Sequence, residues 1–197
     1  LFAAWEVYTN AACLAAAKRV GDFIKLAQMP EPQPAWAQQY DFRMWPCWAR
    51  KFEPASVTGG ESQSVLRALS ELYLVTGDAS YLEPIPRAVA YLKRSRLADG
   101  RLARFYELRT NKPLYFTREY ALTYSDADVP THYAFKIDYR VDEAWLASLP
   151  ALSGAERDKL RRHVRETGYR ALGPGVKDPK EGAEKALKAL DGLGRWV

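Results

Sequence analysis

Arginines flank a turn-like segment in the middle of the chain. Arg104 precedes and Arg118 follows residues 109–113, whose sequence RTNKP predicts the turn of a β-hairpin. If the hairpin is centred on Asn111, Arg104 lies directly opposite Arg118. Two guanidinium groups on one sheet face would bind an anion such as a carboxylate, whereas a register shift of one residue would send them to opposite faces.

The hairpin falls in the most basic part of the chain. Residues 87–118 contain nine arginines and lysines against two acidic residues, a balance of +7, in a chain whose formal net charge is +5. Such a run forms either a solvated basic face or a surface that binds a polyanion.

A second cationic segment, residues 36–53, is rich in aromatic side chains. Its aromatic residues and cations are Trp36, Tyr40, Trp45, Trp48, Arg43, Arg50 and Lys51. Aromatic faces beside cations suit sugars, exposed bases and above all anionic sugars. The alternative is that the rings fill the core and the cations are solvated.

Metal and nucleophile chemistry has little support in the sequence. Asp126 and Asp128 are too few for the six to eight oxygens of a calcium site, so turn or capping roles are expected of them. Two histidines, His132 and His163, with two distant cysteines make a zinc site very improbable. No Ser/His/Asp arrangement, Walker loop or dinucleotide fingerprint is present.

Four motifs occur in a fixed order between residues 17 and 136. They are AWAQQYD at 35–41, ARKFEP at 49–54 with GGES at 59–62, GRLARFYE at 100–107 with TNKPLYF at 110–116, and PTHY at 130–133. In order and spacing they resemble the pectate lyases of polysaccharide lyase family ten. The resemblance implies an (α/α) toroid that cleaves polygalacturonate by calcium-assisted β-elimination.

The resemblance also implies roles for individual residues. Arg50 would be the base that removes the C5 proton beside a uronate carboxylate, although an arginine can act so only where its surroundings favour the neutral form. The substrate-binding residues would be Lys51, Arg104, Arg118, Arg43 and Tyr106. The family's calcium-binding aspartate should precede the first helix, where this chain begins with Leu1-Phe-Ala-Ala-Trp5. We therefore expect an N-terminally incomplete catalytic domain, with the Ca²⁺ ligands outside it.

The elements that must position these residues are mainly helical in the sequence. Hydrophobic spacing, caps and prolines predict an all-α protein, an (α/α) toroid or barrel with long loops and one short β-hairpin, as a single domain over residues 1–197. Helices are predicted over residues 6–28, 62–76, 81–92, 141–147, from 153 onward, and over 181–190.

The expected partner is polygalacturonate or pectin, bound by a monomer that is secreted or periplasmic. No apolar run reaches the roughly 20 residues of a membrane span, so no membrane partner is expected. A nucleic-acid partner would rest on charge alone and is not expected either. The alternative function is a non-catalytic protein that binds acidic polysaccharide on the same fold.

Overall fold

The computed structural model describes residues 1–168, which form a mixed α and β structure. Its α-helices are α1 (Phe2–Tyr8), α2 (Ala11–Ala27), α3 (Gly59–Thr76), α4 (Ile85–Arg94), α5 (Glu143–Ser148) and α6 (Gly154–Gly168). Its strands are β1 (Ser56–Thr58), β2 (Leu102–Ala103), β3 (Phe105–Glu107), β4 (Pro113–Phe116), β5 (Leu122–Thr123) and β6 (Lys136–Ile137).

The prediction of an all-α toroid is wrong, because the strands build two antiparallel sheets. One sheet has the order β1-β3-β4-β5, and the other pairs β2 with β6. Each strand has only two to four residues, too few to show an alternating pattern in the sequence. Strand β1 is also buried throughout, so its side chains do not alternate between polar and apolar.

The helical predictions are correct in kind and differ at their boundaries. The predicted first helix is two helices, because Thr9 adopts a left-handed conformation and the side chain of Asn10 caps α2 by accepting a hydrogen bond from the Ala12 N–H. Helix α3 ends at Gly77 (φ 74°), the predicted left-handed cap. The helix predicted over residues 181–190 lies outside the described residues.

The start of α6 confirms a capping box read from the sequence. The Ser153 Oγ accepts a hydrogen bond from the Glu156 N–H, and the Glu156 carboxylate accepts one from the Ser153 N–H. Ser153 and Glu156 therefore satisfy each other's backbone donors at this helix end.

The larger hydrophobic core lies where helices α2, α3 and α4 meet the sheets. Trp36 is 2% exposed in this core and donates from its indole N–H to the Ile24 carbonyl, 2.8 Å away. Trp45 and Trp48, by contrast, are exposed. The alternative that the tryptophan rings fill the core is thus correct for one of these three residues, Trp36.

A smaller core lies on the hairpin of β3 and β4. Its buried members are Phe105, Leu114, Tyr115, Phe116 and Phe135, and Phe52 and Tyr133 pack against it. Phe52 and Tyr133, two rings of the candidate site, are therefore held in place by this second core.

The hairpin turn is fixed from inside the protein by one side chain. Asn111 (φ 58°) accepts hydrogen bonds from the Tyr91 hydroxyl and from Gln33, and it donates one to Ser95. Asparagine tolerates the left-handed conformation better than most residues. The turn residue identified in the sequence therefore joins the hairpin to α4 and to the loop that carries Gln33.

Candidate functional site: a cation–aromatic face

The turn at residues 50–53 joins an exposed cation to a buried anion. The Glu53 N–H donates to the Arg50 carbonyl, 3.0 Å away, and closes the turn. The Arg50 guanidinium donates to the Glu53 carboxylate in a short charged hydrogen bond. The Arg50 side chain is 68% exposed, whereas that of Glu53 is 5% exposed. A buried carboxylate thus holds a solvent-facing guanidinium.

This pairing changes the protonation of both partners. The hydrogen bond to Glu53 and its negative charge raise the pKa of Arg50 above its ordinary value. The same hydrogen bond lowers the pKa of Glu53 against the opposing effect of burial. In this conformation Arg50 is therefore held as a cation, the opposite of what a general base requires.

Four rings, those of Phe52, Tyr120, His132 and Tyr133, form an aromatic cluster beside this turn. Phe52 stacks on Tyr120 with ring centroids 5.6 Å apart and an interplanar angle of 21°. Tyr133 meets Phe52 edge-on at 4.5 Å, and His132 meets it edge-on at 6.2 Å. Phe52 is therefore the ring that all the others contact.

Three cations lie against the aromatic cluster. The Arg50 guanidinium lies 5.7 Å from the Phe52 centroid, and the Lys51 ammonium lies 5.7 Å from that of Tyr120. The Arg104 guanidinium lies 4.5 Å from the Tyr133 centroid. Each distance is within the roughly 6 Å range of cation–π attraction. We call these three cations and the aromatic cluster the cation–aromatic face.

Arg104 and Arg118 do not face each other across the hairpin. The observed register pairs Phe105 with Leu114 and Tyr106 with Pro113, three residues away from the predicted pairing. Strand β4 ends at Phe116, so Arg118 lies beyond the ladder. The predicted register is therefore wrong, because the hairpin is centred between Arg109 and Thr110 and not on Asn111.

Each of these two arginines has an acidic partner of its own. Arg104 lies 3.6 Å from the Glu61 carboxylate in the first turn of α3, and it donates to the Ala134 carbonyl. Arg118 is exposed and lies 3.2 Å from Asp128. Arg118 precedes Tyr120 by two residues, which places it at the margin of the cation–aromatic face.

Two other predicted substrate-binding residues take no part in this face. Tyr106 is 1% exposed, and its hydroxyl donates to the Ser95 carbonyl and accepts from the Ala103 N–H. Burial raises the pKa of Tyr106 well above its usual value. Its hydroxyl is used inside the core, and its predicted substrate-binding role stays a prediction. Arg43 is exposed in a turn held by the Asp41 carboxylate.

Several cations of the basic run at residues 87–118 pair with acidic side chains, some of them distant in sequence. Salt bridges join Lys93 to Glu143, Arg94 to Glu31 and Arg101 to Asp99. These acids come from the proline-rich loop after α2, from α5 and from the loop before β2. Part of the charge of the run is therefore balanced locally, and the cation–aromatic face takes two of its three cations from residues 50–51.

Beneath the face, several buried polar atoms lack hydrogen-bond partners within the described residues. They are Gln38 Oε1, Glu61 Oε2, Arg104 Nε and Tyr133 Oη. Gln38 uses its amide N–H to donate to Glu53, at 3.1 Å. An unpaired buried polar group costs about 1–3 kcal/mol, and ordered water usually satisfies such groups. The interior of the site therefore has unused capacity for hydrogen bonding.

The described residues do not fit a calcium ion. Asp126 pairs with Lys136, and Asp128 pairs with Arg118. Across residues 1–168 no three acidic, histidine or cysteine side chains are grouped so that they could hold a metal. Both aspartates thus pair with cations, and Asp128 lies in a turn, one of the roles predicted for these residues.

Sequence reasoning missed Glu53, Phe52 and Tyr120 as parts of the site. Glu53 and Phe52 lie within the ARKFEP motif, but only the cations of that motif drew attention. An available signal was the spacing of Arg50 and Glu53, which suits a side-chain contact across a tight turn. Tyr120 joins the site only through the path of the chain after β4, which local sequence does not reveal.

Comparison with protein families and with curated proteins found no match. No protein-family model matches this chain, and no curated protein matches it at a significant level. Across the described residues, no helix is long and apolar enough to cross a membrane.

Proposed function

We propose that this protein is a pectate lyase-like enzyme that binds polygalacturonate on the cation–aromatic face and cleaves it by β-elimination. The observation that carries the proposal is the meeting of Arg50, Lys51 and Arg104 around the rings of Phe52, Tyr120 and Tyr133. Polygalacturonate presents carboxylates and sugar faces along one chain, and these cations and rings can bind both. The type of reaction, β-elimination, is taken from the motif resemblance.

The reaction needs a base on one side of a galacturonate ring. The base takes the C5 proton, the electron pair of that bond forms the C4–C5 double bond, and the C4–O bond breaks. The departing oxygen stays on the neighbouring sugar and takes a proton from water. The cations stabilise the negative charge that develops beside the uronate carboxylate. Arg50 is the proposed base, and to act it must first leave Glu53 and lose its proton.

A second candidate function has an observation in its favour. Because Glu53 raises the pKa of Arg50, the face as it stands suits the binding of anions better than proton removal. A non-catalytic protein that binds acidic polysaccharide would use the same face and the same cations. It would differ only in forming no unsaturated product.

The two functions are separated by measuring binding and product formation together. Polygalacturonate is incubated with the protein, with and without added Ca²⁺, and the ultraviolet absorbance of the unsaturated product is followed. For a lyase we expect turnover that falls at least a hundredfold in Arg50→Ala, the range for loss of a general base. The matched control is Arg162→Ala, an exposed arginine on α6. Binding without any product supports the second candidate, and absence of binding refutes both.

A further inference from the structure

The burial of the Arg50–Glu53 pair is unusually asymmetric for a pair at a protein surface. Surface salt bridges generally join two exposed groups and contribute little to stability. Here the carboxylate is 5% exposed and the guanidinium 68% exposed. A buried carboxylate is costly without a partner, so it retains its cation strongly while that cation still faces solvent.

The carboxylate also has a second set of partners that does not depend on the guanidinium. Gln38 donates to Glu53 Oε1, and the backbone N–H of Arg50 donates to Glu53 Oε2 at 3.3 Å. Burial first, and the negative charge of Glu53 in addition, raises the pKa of the nearby Tyr133 hydroxyl. Glu53 can therefore stay satisfied in the interior when the guanidinium turns away.

We propose that Glu53 is a positioning residue, an internal counter-ion that holds the Arg50 guanidinium until a uronate carboxylate displaces it. The inference rests on the proposed function, since it names the group that competes with substrate for Arg50. The same contact orients Arg50 over Phe52 and keeps one positive charge of the face neutralised while no substrate is bound. Binding of a polyuronate chain then requires exchange of one carboxylate for another.

A double-mutant cycle on binding tests the exchange. Polygalacturonate affinity is measured by calorimetry for the wild type, Glu53→Gln, Arg50→Ala and the double variant. We expect Glu53→Gln to bind about fivefold more tightly, the effect of one unit charge at contact distance in water. In the Arg50→Ala background, Glu53→Gln should change the affinity less than about twofold, because the guanidinium that Glu53 pairs with has been removed.

The control and the contrary outcomes are set by the same cycle. Glu31→Gln removes an arginine-paired carboxylate at a distance from the face and should leave affinity unchanged. If Glu53→Gln changes the affinity equally in both backgrounds, or changes it in neither, the inference is overturned. Failure of the wild type to bind polygalacturonate overturns the proposed function instead. The Arg50–Glu53 contact is then checked by running the same cycle on thermal unfolding.

A measurement on the unaltered protein covers the case in which Glu53→Gln does not fold. The carboxyl ¹³C resonance of Glu53 is followed by NMR while trigalacturonate is added to saturation. We expect it to move as the guanidinium leaves, while that of Glu31 stays in place. A bound ligand that leaves the Glu53 resonance unmoved shows that Arg50 keeps its internal partner, and the inference fails.

Discussion

Substituting Asn111 by alanine should destabilise the fold more than its position in a surface turn suggests. Its side chain accepts hydrogen bonds from Tyr91 at 2.6 Å and from Gln33 at 3.1 Å, and it donates to Ser95 at 2.9 Å. Tyr91 is 0% exposed, so its hydroxyl cannot turn to solvent when Asn111 is removed. The substitution therefore leaves the buried Tyr91 hydroxyl without a partner and also removes the hydrogen bonds to Gln33 and Ser95.

The magnitude follows from four contributions. Leaving the Tyr91 hydroxyl unpaired costs about 1–3 kcal/mol. Gln33 keeps its other hydrogen bond, to the Glu107 carbonyl, so we add only about 0.5 kcal/mol for its loss and a similar amount for Ser95. Alanine at φ 58° adds about 1 kcal/mol. The expected loss is about 3–5 kcal/mol, or a fall in unfolding temperature of about 6–20 °C for a chain of this size.

Urea denaturation followed by tryptophan fluorescence measures this loss. Asn10→Ala is the matched control, because Asn10 makes one exposed capping bond whose removal should cost about 1 kcal/mol. Asn111→Gly relieves the backbone conformation while losing the same side-chain bonds, so it should recover about 1 kcal/mol of the alanine loss. If Asn111→Ala is no more destabilising than Asn10→Ala, the internal anchoring of the hairpin is refuted.

Two further predictions concern the sheet and the loop before β2. Gly59→Ala should destabilise the protein by about 1–3 kcal/mol in urea denaturation, because the new Cβ would lie 2.4 Å from the Ala103 carbonyl oxygen; an unchanged midpoint would contradict the close approach of α3 to β2. Hydrogen bonds from Arg101 lower the pKa of Asp99 to about 2. Its contribution to stability is therefore complete above the ordinary value near 3.8 and is lost as the pH falls from there towards 2. Unfolding temperatures of the wild type and Asp99→Asn should differ at pH 6 and converge near pH 2, whereas a constant difference would refute the assignment.

The sequence by itself determined the features that depend on local chemistry. The left-handed cap at Gly77 and the capping box of Ser153 and Glu156 follow from residues within one helical turn. The turn at Asn111 was also recognisable, because asparagine and proline at that spacing leave the backbone few alternatives. Arg50 and Lys51 were identified as candidates because cations beside aromatic residues are visible in any reading of residues 36–53.

Only the tertiary structure decided which of these residues meet. Strands of two to four residues take their conformation from their neighbours, so the sheets and the three-residue register difference were not visible locally. Burial then separated Tyr106, whose hydroxyl is used in the core, from Tyr120 and Tyr133, whose rings carry cations. It also gave Arg50 a buried carboxylate as its partner. Charge and ring type are local properties, whereas burial and pairing belong to the folded chain as a whole.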